Sequence, residues 1–308
     1  MSAVLVLMGP TASGKTELAI ELARRLRGEI VSADSRQIYR GMAVGTAQPD
    51  AIQRAAVPHH LVGMLEPEER YSAAHFVRDA AAAIEAIEAR GRRPIVVGGT
   101  GFYVRALTGE MPLAQTTQDE ALRARMGEEA RIHPPAVLHA WLRALDPERS
   151  AEVAPADRYR TLRALEVALA RREDPGASLA AAVPLPTLAA RGARTLKAAL
   201  AIDRERLAER VRRRTRAMID GGLLAEAEAL EGRDAPAADA VGYPQALAYL
   251  RGMCTRGELD ELLARATMRY AKRQMTWLRA EPSVRWIPAG AEAADAVERA
   301  ARETLGWT

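Results

Sequence analysis

Unbroken apolar runs alternate with helical apolar spacings over the first hundred residues. Ala3-Val4-Leu5-Val6-Leu7-Met8 precedes a glycine turn and reads as a parallel strand covered on both faces. From Thr16 to Arg27, Leu18, Ala19, Leu22 and Leu26 recur at helical spacing. Glu29 to Asp34 reads as a second strand, Ser72 to Ala89 as a long alanine-rich helix, and Arg93 to Gly99 as a third strand ending in a turn. This alternation predicts an α/β fold, a parallel sheet with helices on both faces. No internal repeat is visible.

The pattern changes after about Met111. Thr117 to Arg172 reads as helices only, broken near His133-Pro134-Pro135 and Asp146-Pro147. Asp174 to Gly192, rich in Pro, Gly and Ala, reads as a loop. Thr195 to Ile202 resumes a strand, and helices are expected from there to the end. The expected organisation is a catalytic core of residues 1–115 and 196–308 interrupted by an all-helical insert, 116–195.

Composition narrows the class. With 308 residues, 48% hydrophobic and 27% charged, the chain can bury a sizeable core, and wholesale disorder is excluded. The single cysteine, Cys254, excludes an internal disulfide framework and a cysteine-cluster metal site. An intracellular, cytoplasmic enzyme is expected. No apolar run approaches the roughly 18 residues of a membrane helix, and Met1 to Pro10 lacks the basic start of a signal peptide. The net charge of +4 permits a polyanionic partner without demanding one. Only Lys15, Lys197 and Lys272 are lysines, so nearly all positive charge is arginine and its position must carry the argument.

Gly9-Pro10-Thr11-Ala12-Ser13-Gly14-Lys15-Thr16 matches G-x-x-x-x-G-K-[ST] between an apolar strand and an amphipathic helix. Its glycines let backbone N–H groups curl toward phosphate oxygens, Lys15 adds a point charge, and the Thr16 hydroxyl is the candidate Mg²⁺ ligand. The fold expected is therefore P-loop NTPase-like. Yet the strand Ile95-Val96-Val97 ends in Gly98-Gly99-Thr100, with no carboxylate where a Walker-B acid would stand. That weakens ATP chemistry and admits a diphosphate that is not part of a nucleotide.

Ligands of open parallel sheets bind beyond the carboxyl ends of the strands. One crevice is thus expected to hold the P-loop, Asp34 and Thr100. Asp34 can serve as general base or hydrogen-bond acceptor, or cap its loop. Thr100 can orient a ligand or cap the next helix.

At these residues the chain resembles the tRNA dimethylallyltransferase (tRNA isopentenyltransferase) family. The resemblance covers most of the chain. It runs through Met8–Thr16, Asp34–Met42, Gly45-Thr46-Ala47, Pro58–Leu61, Tyr71-Ser72-Ala73, Val97–Tyr103, Arg163–Val167, Val241-Gly242-Tyr243 and Ala271–Arg279. It implies transfer of a dimethylallyl group from dimethylallyl diphosphate to the exocyclic amine of the adenosine 3′-adjacent to the anticodon, with Mg²⁺ as cofactor. The tRNA anticodon stem-loop is the implied partner, and a monomer is expected. The loop would hold the donor's diphosphate, with Arg204, Arg210 and Arg214. Asp34 would take the amine proton, assisted by Thr100 and Lys15. The target base must be flipped out of its stack to reach them.

Ser35, Arg36 and Gln37 would line the tRNA side, with Arg123 and Tyr159-Arg160-Thr161-Leu162-Arg163 of the insert. Arg269, Lys272 and Arg273 share one helix side within the acid-free stretch Ala266 to Arg279 and form a candidate phosphate track. Trp141 reads as insert core. His59 and His60 have no third metal ligand nearby in sequence. Three positions depart from the family pattern: Gln48 replaces the usual lysine, Arg158 the usual proline, and Arg171–Pro175 lacks the usual Thr-Gly turn. The other readings are a P-loop small-molecule or nucleotide kinase using ATP, and a non-catalytic RNA-binding P-loop protein.

Overall fold

β1 (Ala3–Met8) is buried along its whole length, and the rest of the fold is arranged around it. The computed structural model describes residues 2–111, 113, 120–173 and 184–307. Residues 117–119, expected to open the first insert helix, and 174–183 of the expected loop lie outside these.

In chain order the elements are β1, α1 (Lys15–Leu26), β2 (Gly28–Ser32), α2 (Ala43–Thr46), α3 (Ala51–Ala56), β3 (His59–His60), α4 (Ala73–Ala89), β4 (Arg93–Gly98) and α5 (Gly101–Thr108). Then come α6 (Glu120–Ile132), α7 (Pro135–Leu145), α8 (Pro147–Glu152), α9 (Arg158–Glu173), β5 (Arg194–Ala201) and α10 (Arg204–Met218). The chain closes with α11 (Leu224–Leu230), α12 (Tyr243–Leu250), α13 (Arg256–Arg279), β6 (Val284–Pro288) and α14 (Ala293–Leu305).

The sheet has six strands in the order β3-β2-β4-β1-β5-β6, every pair parallel. The register aligns Leu5 with Ile95 and Leu196, so the strands end at a common edge. α1 and α14 bury Leu18, Leu22, Leu26, Val297 and Leu305 against one face, with Leu5, Leu7 and Ile95. α4 contributes the buried Phe76, Ala80 and Ile84. The expectation of helices only after Ile202 is corrected by β6, which pairs with β5 from Lys197–Val284 to Ala201–Pro288. An edge strand with Arg285 and Trp286 exposed carries neither a continuous apolar run nor a strict alternation.

The chain divides into two compact units, 1–111 with 185–308, and 112–184. Residues 185–195, expected in the insert, lie with the sheet unit: Leu188 N–H donates to Leu107 O, and Arg191 Nη1 to Ala81 O at 3.0 Å. Every regular element among the described residues of the second unit is a helix. Leu122, Met126, Leu138, Leu142, Val153 and Leu165 form its own small core. No helix of the described residues is long and apolar enough to cross a membrane.

A buried ion cluster ties the sheet together. Lys197, in the middle of β5, binds Glu281 at 2.8 Å and also Glu110, while Arg105 binds Glu281 at 2.7 Å. Burial pushes the Glu281 carboxyl up, but Glu110, Lys197 and Arg105 outweigh it and hold it below the usual range. Removing one partner strands an uncompensated buried charge. Lys197→Met is expected to lower unfolding free energy by about 3 kcal/mol, read from the midpoint of urea unfolding.

Candidate active site at the strand ends

Three adjacent strands, β2, β4 and β1, deliver the site. β1 runs into the glycine loop, which curls through left-handed backbone at Ala12 (φ 63°) and Gly14 (φ 93°) before α1 begins at Lys15. Ser13 N–H closes the turn on Pro10 O at 3.2 Å. The Ser13 hydroxyl is buried with no hydrogen-bond partner among the described residues. A Cβ on Gly9 would stand 2.7 Å from it, so only glycine leaves that hydroxyl room. Two distant side chains brace the loop from outside. Arg210 Nη1 donates to Ser13 O at 2.7 Å, and Gln274 Oε1 accepts Thr11 N–H at 2.8 Å.

Lys15, Thr16, Asp34, Gln37, His59 and Gly98 line one cavity. Burial pushes the Lys15 ammonium down to about 8; Asp34 opposes this and Arg214 adds to it. Burial likewise lowers the Arg214 guanidinium, with Asp34 and Glu17 opposing. Two cations, Lys15 and Arg214, and two carboxylates, Asp34 and Glu17, thus act on one another around the loop, and burial leaves both cations short of a full counter-charge.

Asp34 sits just past the end of β2. Its Oδ1 accepts N–H bonds from Arg36 (2.9 Å) and Gln37 (3.4 Å), so the loop-capping role is present. Thr100 follows β4 and stands at the N-cap of α5, but its side chain makes no capping bond. It accepts Ser35 N–H at 3.3 Å instead, drawing the ends of β2 and β4 together. Close approach needs glycine here too, since a Cβ on Gly98 would meet Ala33 O at 2.1 Å.

The other expected residues divide. Arg36 is engaged by Asp239 (2.7 Å) and Pro236 O. Gln37 donates to Ala47 O (2.8 Å) and Thr46 O (3.4 Å) and accepts from Ser32 Oγ, so its amide pins the 43–47 turn. Gln48 donates to Tyr39 O at 2.6 Å and accepts from Arg54 at 2.9 Å, a neutral brace at the position of the family's lysine. Arg204 is exposed in the first turn of α10, one helix with Arg210 and Arg214. Arg269, Lys272 and Arg273 are exposed on α13, with Arg273 over the Tyr270 ring at 5.6 Å. His59 Nδ1 lies 2.8 Å from Val57 O, and His60 pairs with Glu29.

Within the helical unit, Arg123 and Arg163 both bind Glu166, at 3.3 and 2.7 Å. Arg160 pairs with Asp157, and Tyr159 is 82% exposed. Thr161 is fully buried, its hydroxyl donating to Asp157 O at 2.8 Å, and Leu162 packs against the unit's core. Trp141, expected in that core, is instead 36% exposed and lies edge-on to His133, because Leu138 and Leu142 fill the interior.

Sequence reasoning missed Tyr270 and Gln274. Tyr270 lies beside Thr100; burial, then Asp34, raises its phenol above the ordinary value. Gln274 joins the loop to Gly99 O. With Trp277 they follow at four- and three-residue spacing on one helix face, a polar and aromatic stripe beside the exposed basic residues. That stripe was the available signal.

The donor set for a metal is sparse. No group of three His, Cys, Asp or Glu able to hold an ion occurs among the described residues. The Thr16 hydroxyl and the Asp34 carboxylate are hard oxygen donors on one cavity, which fits a small divalent cation that keeps its waters and takes phosphate oxygens.

A family model described as IPP transferase matches residues 37–281, and one described as isopentenyl transferase matches residues 2–55. A tRNA dimethylallyltransferase of Anaeromyxobacter sp. (strain K) is 50% identical over 290 residues, 92% of this chain and 92% of that protein. The crystal structure of a full-length tRNA isopentenylpyrophosphate transferase from Bacillus halodurans is similar with a TM-score of 0.71 at 33% identity, covering 99% of this chain and 97% of that one. A eukaryotic dimethylallyltransferase, crystallised in snapshots acting on tRNA, is similar with a TM-score of 0.78 at 25% identity, covering 98% and 78%.

Proposed function

This chain belongs to the IPP transferase family, and from that premise we propose how its own residues carry out the reaction. It is a prenyl transferase that moves a dimethylallyl group from dimethylallyl diphosphate to tRNA. The ATP-kinase reading is not favoured. The observation that supports the residue roles is the convergence of an anion cradle, Asp34 and Thr100 on three adjacent strand ends, with no second acid at the end of β4.

The acceptor is the exocyclic amine of the adenosine 3′-adjacent to the anticodon, flipped from its stack into the crevice. Its lone pair is drawn into the ring, so it attacks weakly unless its proton is accepted as the bond forms. The N–C bond to the allyl carbon forms, the C–O bond to diphosphate breaks, and the amine proton passes to the Asp34 carboxylate. Asp34 Oδ1 is held by two backbone N–H groups, so the second oxygen is the one to take the proton. Thr100 orients the amine or the diphosphate. The growing charge on the diphosphate is met by Lys15, the loop N–H groups, the spare Ser13 hydroxyl and Arg214. Arg210 acts through the loop it braces, and Arg204 lies further out on the same helix. Mg²⁺, when bound, supplies further neutralisation of the leaving group, and the Thr16 hydroxyl would hold it.

The exposed Arg269, Lys272 and Arg273 would follow an RNA backbone, with Ser35 and Arg36 beyond Asp34 and with Arg123, Tyr159, Arg160 and Arg163 of the insert, while Gln37 holds the 43–47 turn behind them. The logarithm of tRNA affinity is expected to fall linearly with log salt. Removing Lys272 should reduce that slope by about 1 and weaken all tRNAs alike. Filter binding across a salt series checks this; an unchanged slope would remove Lys272 from the track.

The function is tested by supplying dimethylallyl diphosphate and ATP in parallel reactions with unmodified tRNA. One diphosphate released per adenosine modified is expected. Phosphate release from ATP without tRNA modification would restore the kinase reading.

A further inference from the structure

One side chain joins the phosphate cradle to the turn that carries Thr100. Gln274 is 4% exposed on the inner face of α13. Its Oε1 accepts Thr11 N–H at 2.8 Å, and its Nε2 donates to Gly99 O at 3.1 Å. Both partners are backbone groups, one from each turn. The fit is close: a Cβ on Gly99 would stand 2.2 Å from Nε2. One turn earlier on the same face, the Tyr270 phenol lies beside Thr100. A single 24-residue helix therefore grips both turns from inside.

We infer that Gln274 is a positioning residue for the transfer, holding the cradle in register with Thr100 and Asp34 through its two amide bonds. This rests on the residue roles proposed above. The donor's diphosphate is fixed by the loop, while the attacking amine is fixed by the Asp34 and Thr100 side. The reacting atoms must be held within about 3.5 Å, and an error of about 1 Å can cost on the order of a hundredfold in rate. No contact between Gln274 and substrate is needed. Gln274→Leu removes both bonds and leaves a buried N–H and a buried C=O unpaired. Gln274→Glu keeps the acceptor for Thr11 but, when ionised, sets an oxygen against Gly99 O.

The full chain is assayed as wild type, Gln274→Leu and Gln274→Glu, with dimethylallyl diphosphate and unmodified tRNA. Transfer kinetics are read beside direct tRNA binding. Gln274→Leu is expected to lower kcat at least about tenfold with tRNA Kd within about threefold of wild type. Gln274→Glu is expected to be slow near pH 8 and to recover, relative to wild type, as pH falls toward about 6 and the carboxyl regains an O–H for Gly99. Wild-type kcat in Gln274→Leu overturns the inference, as does a loss of tRNA binding that parallels the loss of kcat. If Gln274→Leu fails to fold, Gln274→Glu decides, and a rate ratio to wild type that is flat with pH overturns it. A wild type that transfers nothing overturns the proposed function itself, and this inference with it.

Discussion

Asp34→Asn is expected to lower the transfer rate by about 10³- to 10⁴-fold while both substrates still bind. The asparagine carbonyl can still accept the N–H groups of Arg36 and Gln37 that now reach Oδ1. The loop, and with it Ser35 against Thr100, then keeps its shape. What is lost is basicity. An amide cannot take the amine proton, so the N–C bond must form on a nitrogen that stays positively charged. Loss of the nearby anion also frees Lys15 and Arg214 from a partner that now stabilises their charge, leaving Glu17 and the diphosphate as their counter-ions. Single-turnover transfer, beside separate tRNA and diphosphate binding, separates the two effects. Turnover by Asp34→Asn within tenfold of wild type would assign Asp34 to loop capping alone.

Lys15→Met is expected to act on the other half of the reaction, lowering transfer by about 10²- to 10³-fold, the usual cost of removing a fixed donor from a developing anion. Methionine keeps the length and apolar volume of the stem, so the start of α1 is preserved. The loss has a pH signature. Burial brings the Lys15 ammonium down to about 8, so raising pH through that value removes a positive charge from the free cradle. Inorganic diphosphate binding should therefore weaken as pH rises through about 8 in wild type. Bound anion favours the charged form and shifts the transition upward. Lys15→Met should bind weakly at all pH values and lack the transition. A wild-type pH dependence retained in Lys15→Met would place the titrating group elsewhere.

How much of this was legible depends on how local the determinant is. The cradle was, because the run Ala3–Met8, the glycine spacing and the helix after it are contiguous and agree. Asp34 and Thr100 were legible as polar residues just past apolar strands. The breaks between insert helices followed from prolines that cannot continue a helix: Pro135 and Pro147 open α7 and α8. Other features depend on partners far along the chain. Gln37 is expected on the tRNA side, but its donors are satisfied by the carbonyls of Thr46 and Ala47. Glu226, from α11, accepts Val44 N–H, Gly45 N–H and the Tyr243 hydroxyl, fixing the same turn although it lies 182 positions beyond Val44. No local pattern announces such a contact. β3 is only two residues long and β6 half exposed, so neither offered enough positions for a period to appear. Gln274 stands within an arginine-rich run and is hidden by it, although its spacing from Tyr270 marks a second, inward face.

The most direct measurement is to incubate the protein with Mg²⁺, unmodified tRNA and dimethylallyl diphosphate labelled in the allyl group, with wild type and Asp34→Asn side by side, and to map the labelled nucleoside. Label on the exocyclic amine of the adenosine beside the anticodon with wild type, and none above background with Asp34→Asn, is the expected result. Label on that adenosine at equal rates from both proteins, or on no adenosine from either, would contradict it.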